Sequence, residues 1–313
     1  MDTTVTGSSE FIKVFSDGTV ERFIPETAPA SLDLYNGYKC KDVTIDPSKP
    51  ITARIFVPST TTVAATKPPS LPVLIYFHGG GFCIGSTTWL GYHHFLGGLS
   101  ANADSIVLSI DYRLAPENKL PIAYKDCYTS LIWLSQQKPT ESWLENADLS
   151  RVFLSGDSAG GNIAHLVAIR AIRDKECPVR VRGILPIHPY FGSEKRTELE
   201  TKDGSAKEVE SNDMFWRLSI PEGSNRDYEG CNFERMEVSL SEWSRFPNVL
   251  VFVAELDFLN ERGVMYAEFL KKKGVKVKIV ETKDETHVFH VFRPNSESTR
   301  VLQNQMKEFI HGL

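Results

Sequence analysis

From residue 71 onward, short runs rich in β-branched and aromatic residues alternate with longer helical stretches. The runs are LPVLIYF (71–77), SIVLSIDY (105–112), RVFLSG (151–156), RGILPIH (182–188), NVLVFVAE (248–255) and VKVKIV (275–280). Helices are predicted at about 120–136, where Pro121 suits a first turn, and at about 159–174, 260–273 and 297–311. This alternation predicts βαβ units and a mostly parallel sheet covered on both faces. Upstream, FIKVFSDGTVERF (11–23) holds two short β-like runs around Asp17-Gly18, a hairpin signal, and ITARIFV (51–57) reads as another strand. Residues 61–70, TTVAATKPPS, read as a surface loop.

One interval breaks the rhythm. Residues 193–246 begin charge-rich (SEKRTELETKDGSAKEVESND) and then bring Phe215, Trp216, Trp243 and Phe246. A stretch of this length without a clear strand is long for a plain connection. Two readings stand side by side. It forms a cap over the sheet's edge, with residues 1–45 as partner, or it is a helical insertion that only stabilises the fold.

Function in an open parallel sheet gathers at the carboxyl ends of its strands. After 71–77 comes His78-Gly79-Gly80-Gly81-Phe82, and after 151–156 comes Ser158. Asp257 follows 248–255, and His287 follows 275–280. All four fall on one edge of one predicted sheet. A serine hydroxyl attacks a carbonyl only when a base takes its proton and a tight turn projects it. In GDSAGGN (156–162), Gly156 and Gly160 give that turn room and Gly161 lets the helix pack closely. The amides of Gly79, Gly80 and Gly81, with Gly80 and Gly81 foremost, would join that of Ala159 around a developing oxyanion. A phosphate-binding loop is disfavoured, because no Lys-Ser/Thr follows and no GxGxxG is present. His287 sits where a base is needed, with His290 its nearest rival. Asp257 is placed to orient the base, with Asp284 the alternative. The chain order is then serine, aspartate, histidine.

Composition narrows the field further. A formal net charge of −5 leaves no footprint for nucleic acid. The 41% hydrophobic content over 313 residues suits one large α/β domain. The 5 cysteines are scattered and form no CxxC pair, which predicts reduced thiols and no metal site. The opening MDTTVTGSSEF lacks the basic and apolar parts of a signal peptide, and nowhere do eighteen apolar residues run together. A cytoplasmic location without a membrane span is expected.

With these residues on the page, the chain resembles plant carboxylesterases of the hormone-sensitive-lipase-like branch of the α/β-hydrolases. The matching stretches are HGGGF (78–82), DYRLAPE (111–117), PIAYKD (121–126), GDSAGGN (156–162), FSDGTVERF, RDYEGCN (226–232), AELDFL and ETHVFH. The resemblance implies an α/β-hydrolase fold with an eight-stranded sheet and a cap, no cofactor, and hydrolysis of small-molecule esters through an acyl-serine. It assigns Ser158, Asp257 and His287 to the triad and makes Asp111, Arg113 and Asp126 structural. Phe258 and Phe233 stand where the family often has proline, which is expected to reshape the pocket wall. The expected partner is an ester substrate alone, with the protein a monomer or weak homo-oligomer. A non-hydrolytic lyase or cyclase and a hormone-binding receptor are the alternatives. Relatives with those roles alter the nucleophile, the oxyanion motif or the histidine, all of which are intact here.

Overall fold

Two cores divide the strand residues between them by simple alternation. In the central strand Leu71–Phe77, residues 71, 73, 75 and 77 join one core while Leu74 and Tyr76 join the other. In Asn248–Ala254, Val249, Val251 and Val253 face the first core, and Leu250, Phe252 and Ala254 the second. A period of two with both phases apolar specifies a strand covered on both sides. The computed structural model describes residues 4–59 and 70–313, so nearly all of the loop expected at 61–70 lies outside the described residues.

The strands, in chain order, are β1 (Val5–Ser8), β2 (Ile12–Phe15), β3 (Val20–Arg22), β4 (Tyr38–Asp46), β5 (Ile51–Pro58), β6 (Leu71–Phe77), β7 (Ile106–Asp111), β8 (Ala147–Asp157), β9 (Val181–Ile187), β10 (Asn248–Ala254) and β11 (Val277–Thr282). The helices are α1 (Leu90–Asn102), α2 (Ile122–Gln137), α3 (Ala159–Arg173), α4 (Glu198–Thr201), α5 (Ala206–Ser219), α6 (Leu240–Trp243), α7 (Asn260–Lys272), α8 (Phe289–Phe292) and α9 (Glu297–His311). Eight strands form one sheet in the order β11-β10-β9-β8-β6-β7-β5-β4. It is parallel from β11 to β7 and antiparallel across β7-β5-β4. Helices α2, α3 and α7 contribute to the first core, and α1 and α9 to the second.

The N-terminal boundary needs correction. Residues 38–45, counted with the N-terminal cap segment from sequence, instead belong to β4, the outermost strand of the main sheet. Its YKCKDVTID pattern buries only Tyr38, Cys40 and Ile45, as an edge strand does. Ahead of it, β1, β2 and β3 make a separate antiparallel sheet. Arg22 ties that sheet to the body through the carbonyls of Cys83 (2.6 Å) and Ala115 (2.7 Å) and a bidentate pair with Glu117. The interval 193–246 contains α4, α5, α6 and a short 3-10 turn, with no strand among the described residues. Helix α5 packs on β1–β3 through Met214 and Leu218, which share a small core with Ile12 and Val14. Helix α4 is held by Glu200, which accepts from Arg262 Nε (2.8 Å) and Nη2 (2.9 Å) of α7 in a buried pair. No helix is long and apolar enough to cross a membrane among the described residues.

Candidate active site

Strand β8 ends at Asp157 and α3 begins at Ala159, leaving Ser158 alone on the turn between them. Its backbone sits at φ 51, ψ −117, a region that side chains rarely adopt. The turn is held by the Ser158 N–H donating to Ile187 O at 2.9 Å. A Cβ at Gly160 would stand 1.8 Å from Phe77 O, so close passage of α3 over β6 excludes every other residue there. The sharp turn and the glycine spacing therefore have one cause, the approach of the helix start to the neighbouring strand.

The glycine loop after β6 lies beside this turn. Gly80 and Gly81 have φ of 101 and 57 and line a cavity with Ser158. Neither amide meets a protein acceptor among the described residues. Ala159 is the first residue of α3, where a helix leaves its N–H without an intrahelical partner. Gly79 behaves differently from expectation: its N–H donates inward to Tyr92 Oη (2.9 Å) and Asp157 Oδ1 (3.1 Å). Asp157 also accepts from the hydroxyls of Tyr76 (2.7 Å) and Tyr92 (2.8 Å). Burial pushes the Asp157 carboxyl above its ordinary range, against the opposing pull of those two hydroxyls. One buried carboxylate thus fixes the glycine loop to the residue preceding Ser158.

Asp257 follows β10 and His287 follows β11, and the two meet: His287 Nδ1 lies 2.8 Å from Asp257 Oδ2. Asp257 is buried, and its second oxygen accepts the Leu259 N–H at 2.8 Å. Burial alone would raise the Asp257 carboxyl, but the charge and hydrogen bond of His287, with His188 and Leu259 N–H, hold it below its usual value. Burial likewise pulls His287 down, and the Asp257 charge and hydrogen bond reverse this, leaving its pKa above 6.5. Ser158, Asp257 and His287 line the same cavity. The Ser158 hydroxyl and His287 Nε2 make no hydrogen bond to any described residue.

The rival residues lie elsewhere. His290 is fully buried against Phe95, with ring centroids 4.5 Å apart, and burial holds it neutral. Asp284 is exposed, and its N–H donates to Glu255. Arg113 pairs with Asp126, and Asp111 accepts from Thr87, so these groups fasten loops rather than face the cavity. Sequence reasoning did not single out His188, Tyr76 or Tyr92. His188 Nδ1 accepts the Val288 N–H at 2.9 Å, which clamps the residue after His287 in a left-handed turn with φ 46. Burial pushes His188 down to about 3. His188, Asp257 and His287 bring ligand atoms within 4.8 Å of one another, but two of those atoms already bond each other. The only advance signal for His188 was its place at a strand end.

The cavity encloses about 620 Å³. Phe11 from the N-terminal sheet, Trp89, Phe215, Phe258, Val291 and Phe292 give it a largely aromatic wall. Phe258 therefore does shape the wall, whereas Phe233 packs into the core against Phe191, Tyr266 and Phe269. Trp216, Trp243 and Phe246 are also core residues, so of the aromatics noted in the 193–246 interval only Phe215 faces the cavity.

Comparisons with known proteins agree with this fold. A family model described as the alpha/beta hydrolase fold matches residues 74–291. "Probable carboxylesterase 6" of Arabidopsis thaliana is 40% identical over 309 residues, covering 96% of this chain and 89% of that protein. "Tuliposide A-converting enzyme 2, chloroplastic" of Tulipa gesneriana is 35% identical, covering 99% of this chain and 80% of that one. Among solved structures, a thermostable carboxylesterase cloned from a metagenomic library superposes with a TM-score of 0.73 at 28% identity, covering 88% of each chain.

Proposed function

Because the chain belongs to the α/β-hydrolase family, among the plant carboxylesterases of its hormone-sensitive-lipase-like branch, we propose that Ser158, Asp257 and His287 are its catalytic triad. The protein is a carboxylic ester hydrolase acting on small-molecule esters. The observation that carries the assignment is the His287–Asp257 hydrogen bond at the cavity where Ser158 stands on its strained turn. Asp257 holds the Nδ1 proton, so the neutral ring offers Nε2 to Ser158. Nε2 takes the hydroxyl proton as Oγ bonds the ester carbonyl carbon. Gly80, Gly81 and Ala159 N–H groups stabilise the oxyanion, and Gly79 supports the loop from behind. The C–O bond to the alcohol then breaks, and His287 returns the proton to the leaving alkoxide. Water, deprotonated by the same ring, bonds the acyl carbon; the bond to Ser158 Oγ breaks, the acid leaves, and His287 returns the proton to Oγ. In the free protein the serine–histidine contact is open, and it closes in the Michaelis complex, as is common for such pairs.

The same reading makes β1–β3 and the 193–246 interval a cap, pinned by Arg22 on one side and by the Arg262–Glu200 pair on the other. It keeps the protein cytoplasmic and monomeric or weakly self-associating. Sedimentation and a fluorescent fusion test those two points, since a relative carries "chloroplastic" in its name. The triad is tested with Ser158→Ala and a fluorophosphonate. The parent should hydrolyse 4-nitrophenyl acetate and gain the phosphonyl mass on Ser158, and the variant should do neither. Turnover by Ser158→Ala at the parent rate would overturn the assignment.

A further inference from the structure

Helix α5 walls the cavity with Lys207, Glu208, Ser211, Asn212 and Phe215. That spacing is one side of a helix. The face is graded. At its inner end Phe215 presses on the oxyanion loop, since a Cβ on Gly81 would stand 2.6 Å from its ring. Lys207 and Glu208 are exposed at the outer end. Asn212 lies between them, about 4.5 Å along the axis from Phe215 at 1.5 Å per residue.

Asn212 is an anomaly in this wall. It is only 9% exposed, yet its Oδ1 is shut off from solvent with no partner among the described residues. Its side-chain nitrogen meets no acceptor among the described residues either. Its main-chain carbonyl accepts the Tyr190 hydroxyl at 2.9 Å. Buried amides in folded proteins are almost always paired, so an unpaired one in a cavity wall, with its nitrogen not sealed as its oxygen is, marks a place where a ligand supplies the partner. An apolar residue of the same size would pack there at lower cost, as Phe215 does one turn further along.

Resting on the reading of this cavity as an ester-hydrolase site, we propose that Asn212 is a specificity-determining residue that hydrogen-bonds a hydroxyl or carbonyl group of the substrate. The substrate class is then an ester whose apolar part lies against Phe215 and which carries a neutral oxygen substituent about one helical step away. Asn212 touches the substrate but not the reacting atoms, so its effect is on discrimination. A site built to pair such a group rejects the analogue lacking it, because the amide is then left unpaired.

The test compares matched esters. 4-Nitrophenyl butanoate against 4-nitrophenyl 3-hydroxybutanoate probes the acyl half. Cyclohexyl acetate against the monoacetate of cyclohexane-1,2-diol probes the alcohol half. The parent should favour the hydroxylated member of one pair by about tenfold in kcat/KM. That ratio should fall close to one in Asn212→Leu. Asn212→Ala is the second variant, so that overpacking or poor folding of the leucine form does not decide the matter. Fluorophosphonate titration of Ser158 normalises each preparation. No preference by the parent in either pair, or a preference that survives both substitutions, overturns the proposal. A parent that hydrolyses none of the four esters and takes no phosphonyl group overturns the hydrolase reading and this one with it.

Discussion

Replacing Asp257 by asparagine keeps the size of the side chain and removes its charge. His287 Nδ1 lies 2.8 Å from the Asp257 carboxylate. At an effective dielectric of about 20, an ion pair at that distance is worth about 6 kcal/mol to the imidazolium that forms as Ser158 attacks. Because the His287 side chain is 33% exposed through the cavity, screening trims this. At 1.36 kcal/mol per decade, kcat should fall by about three to four decades. A second effect has a definite sign. Burial lowers the His287 pKa, and the Asp257 charge and hydrogen bond, with a smaller contribution from Asp157, lift it above its ordinary value. In the parent, kcat/KM is lost as pH falls through that raised pKa, because the base must be neutral. In Asp257→Asn, burial acts with little opposition, so the residual activity should persist to lower pH than in the parent. The assay is a pH–rate profile with a 4-nitrophenyl ester, with active sites titrated. A variant within tenfold of the parent, or an acid limb that stays put or moves upward, would refute the reasoning.

Three further outcomes follow from the same geometry. Asp157→Ala takes the acceptor from the Tyr76 and Tyr92 hydroxyls and leaves the Gly79 amide with Tyr92 Oη alone, and should cost about 3–6 kcal/mol in urea unfolding together with most of the activity. Arg262→Met leaves the buried Glu200 carboxylate with only the Thr197 N–H and Arg196 at 3.9 Å, and should cost about 3–5 kcal/mol in urea unfolding. His165 and His188 are pushed down to about 3 by burial, so the unfolded chain binds protons on them below about pH 6.5 while the native state does not. Their stabilisation is present above that pH and is lost as pH falls toward 3. By pH 5 each should have cost about 2 kcal/mol, and an unfolding midpoint unchanged between pH 7 and pH 5 would contradict this.

Local chemistry made part of this site readable in the sequence. The inner strands declare themselves because both faces are apolar, and residues at their carboxyl ends can be counted without knowing the fold. Ser158, Asp257 and His287 are such residues. What stayed hidden depends on contacts between distant segments. Strand β4 buries only Tyr38, Cys40 and Ile45 among charged and polar residues, so its YKCKDVTID run looks polar until β5 is beside it. Helix α1, LGYHHFLGGLSAN, carries glycines and histidines that weaken any helical signal, and it is packing under Tyr38 and β5 that fixes it. In HGGGF the Gly79 amide looks as free to meet a ligand as those of Gly80 and Gly81. Nothing in HGGGF reveals that Tyr76, Tyr92 and Asp157 claim it from below. Tyr76 in particular looks like one more apolar strand residue, and its hydroxyl matters only because Asp157 lies within 2.7 Å. Asn212 sits in a polar run in which nothing distinguishes it from Glu210 or Asp213.

The contact between α5 and the N-terminal sheet bears on how substrate range can change. A Cβ at Gly7 would stand 2.7 Å from Met214 Sδ, so these two segments, some two hundred positions apart in the chain, are cut to fit each other. Both also supply cavity wall, through Phe11 on one and Phe215 on the other. Swapping either one alone from a relative would set a foreign surface against a native one and misplace the wall. Exchanging them as a matched pair leaves the strand ends that carry Ser158, Asp257 and His287 undisturbed. Recombination libraries on this scaffold should therefore treat the two stretches as a single inherited unit.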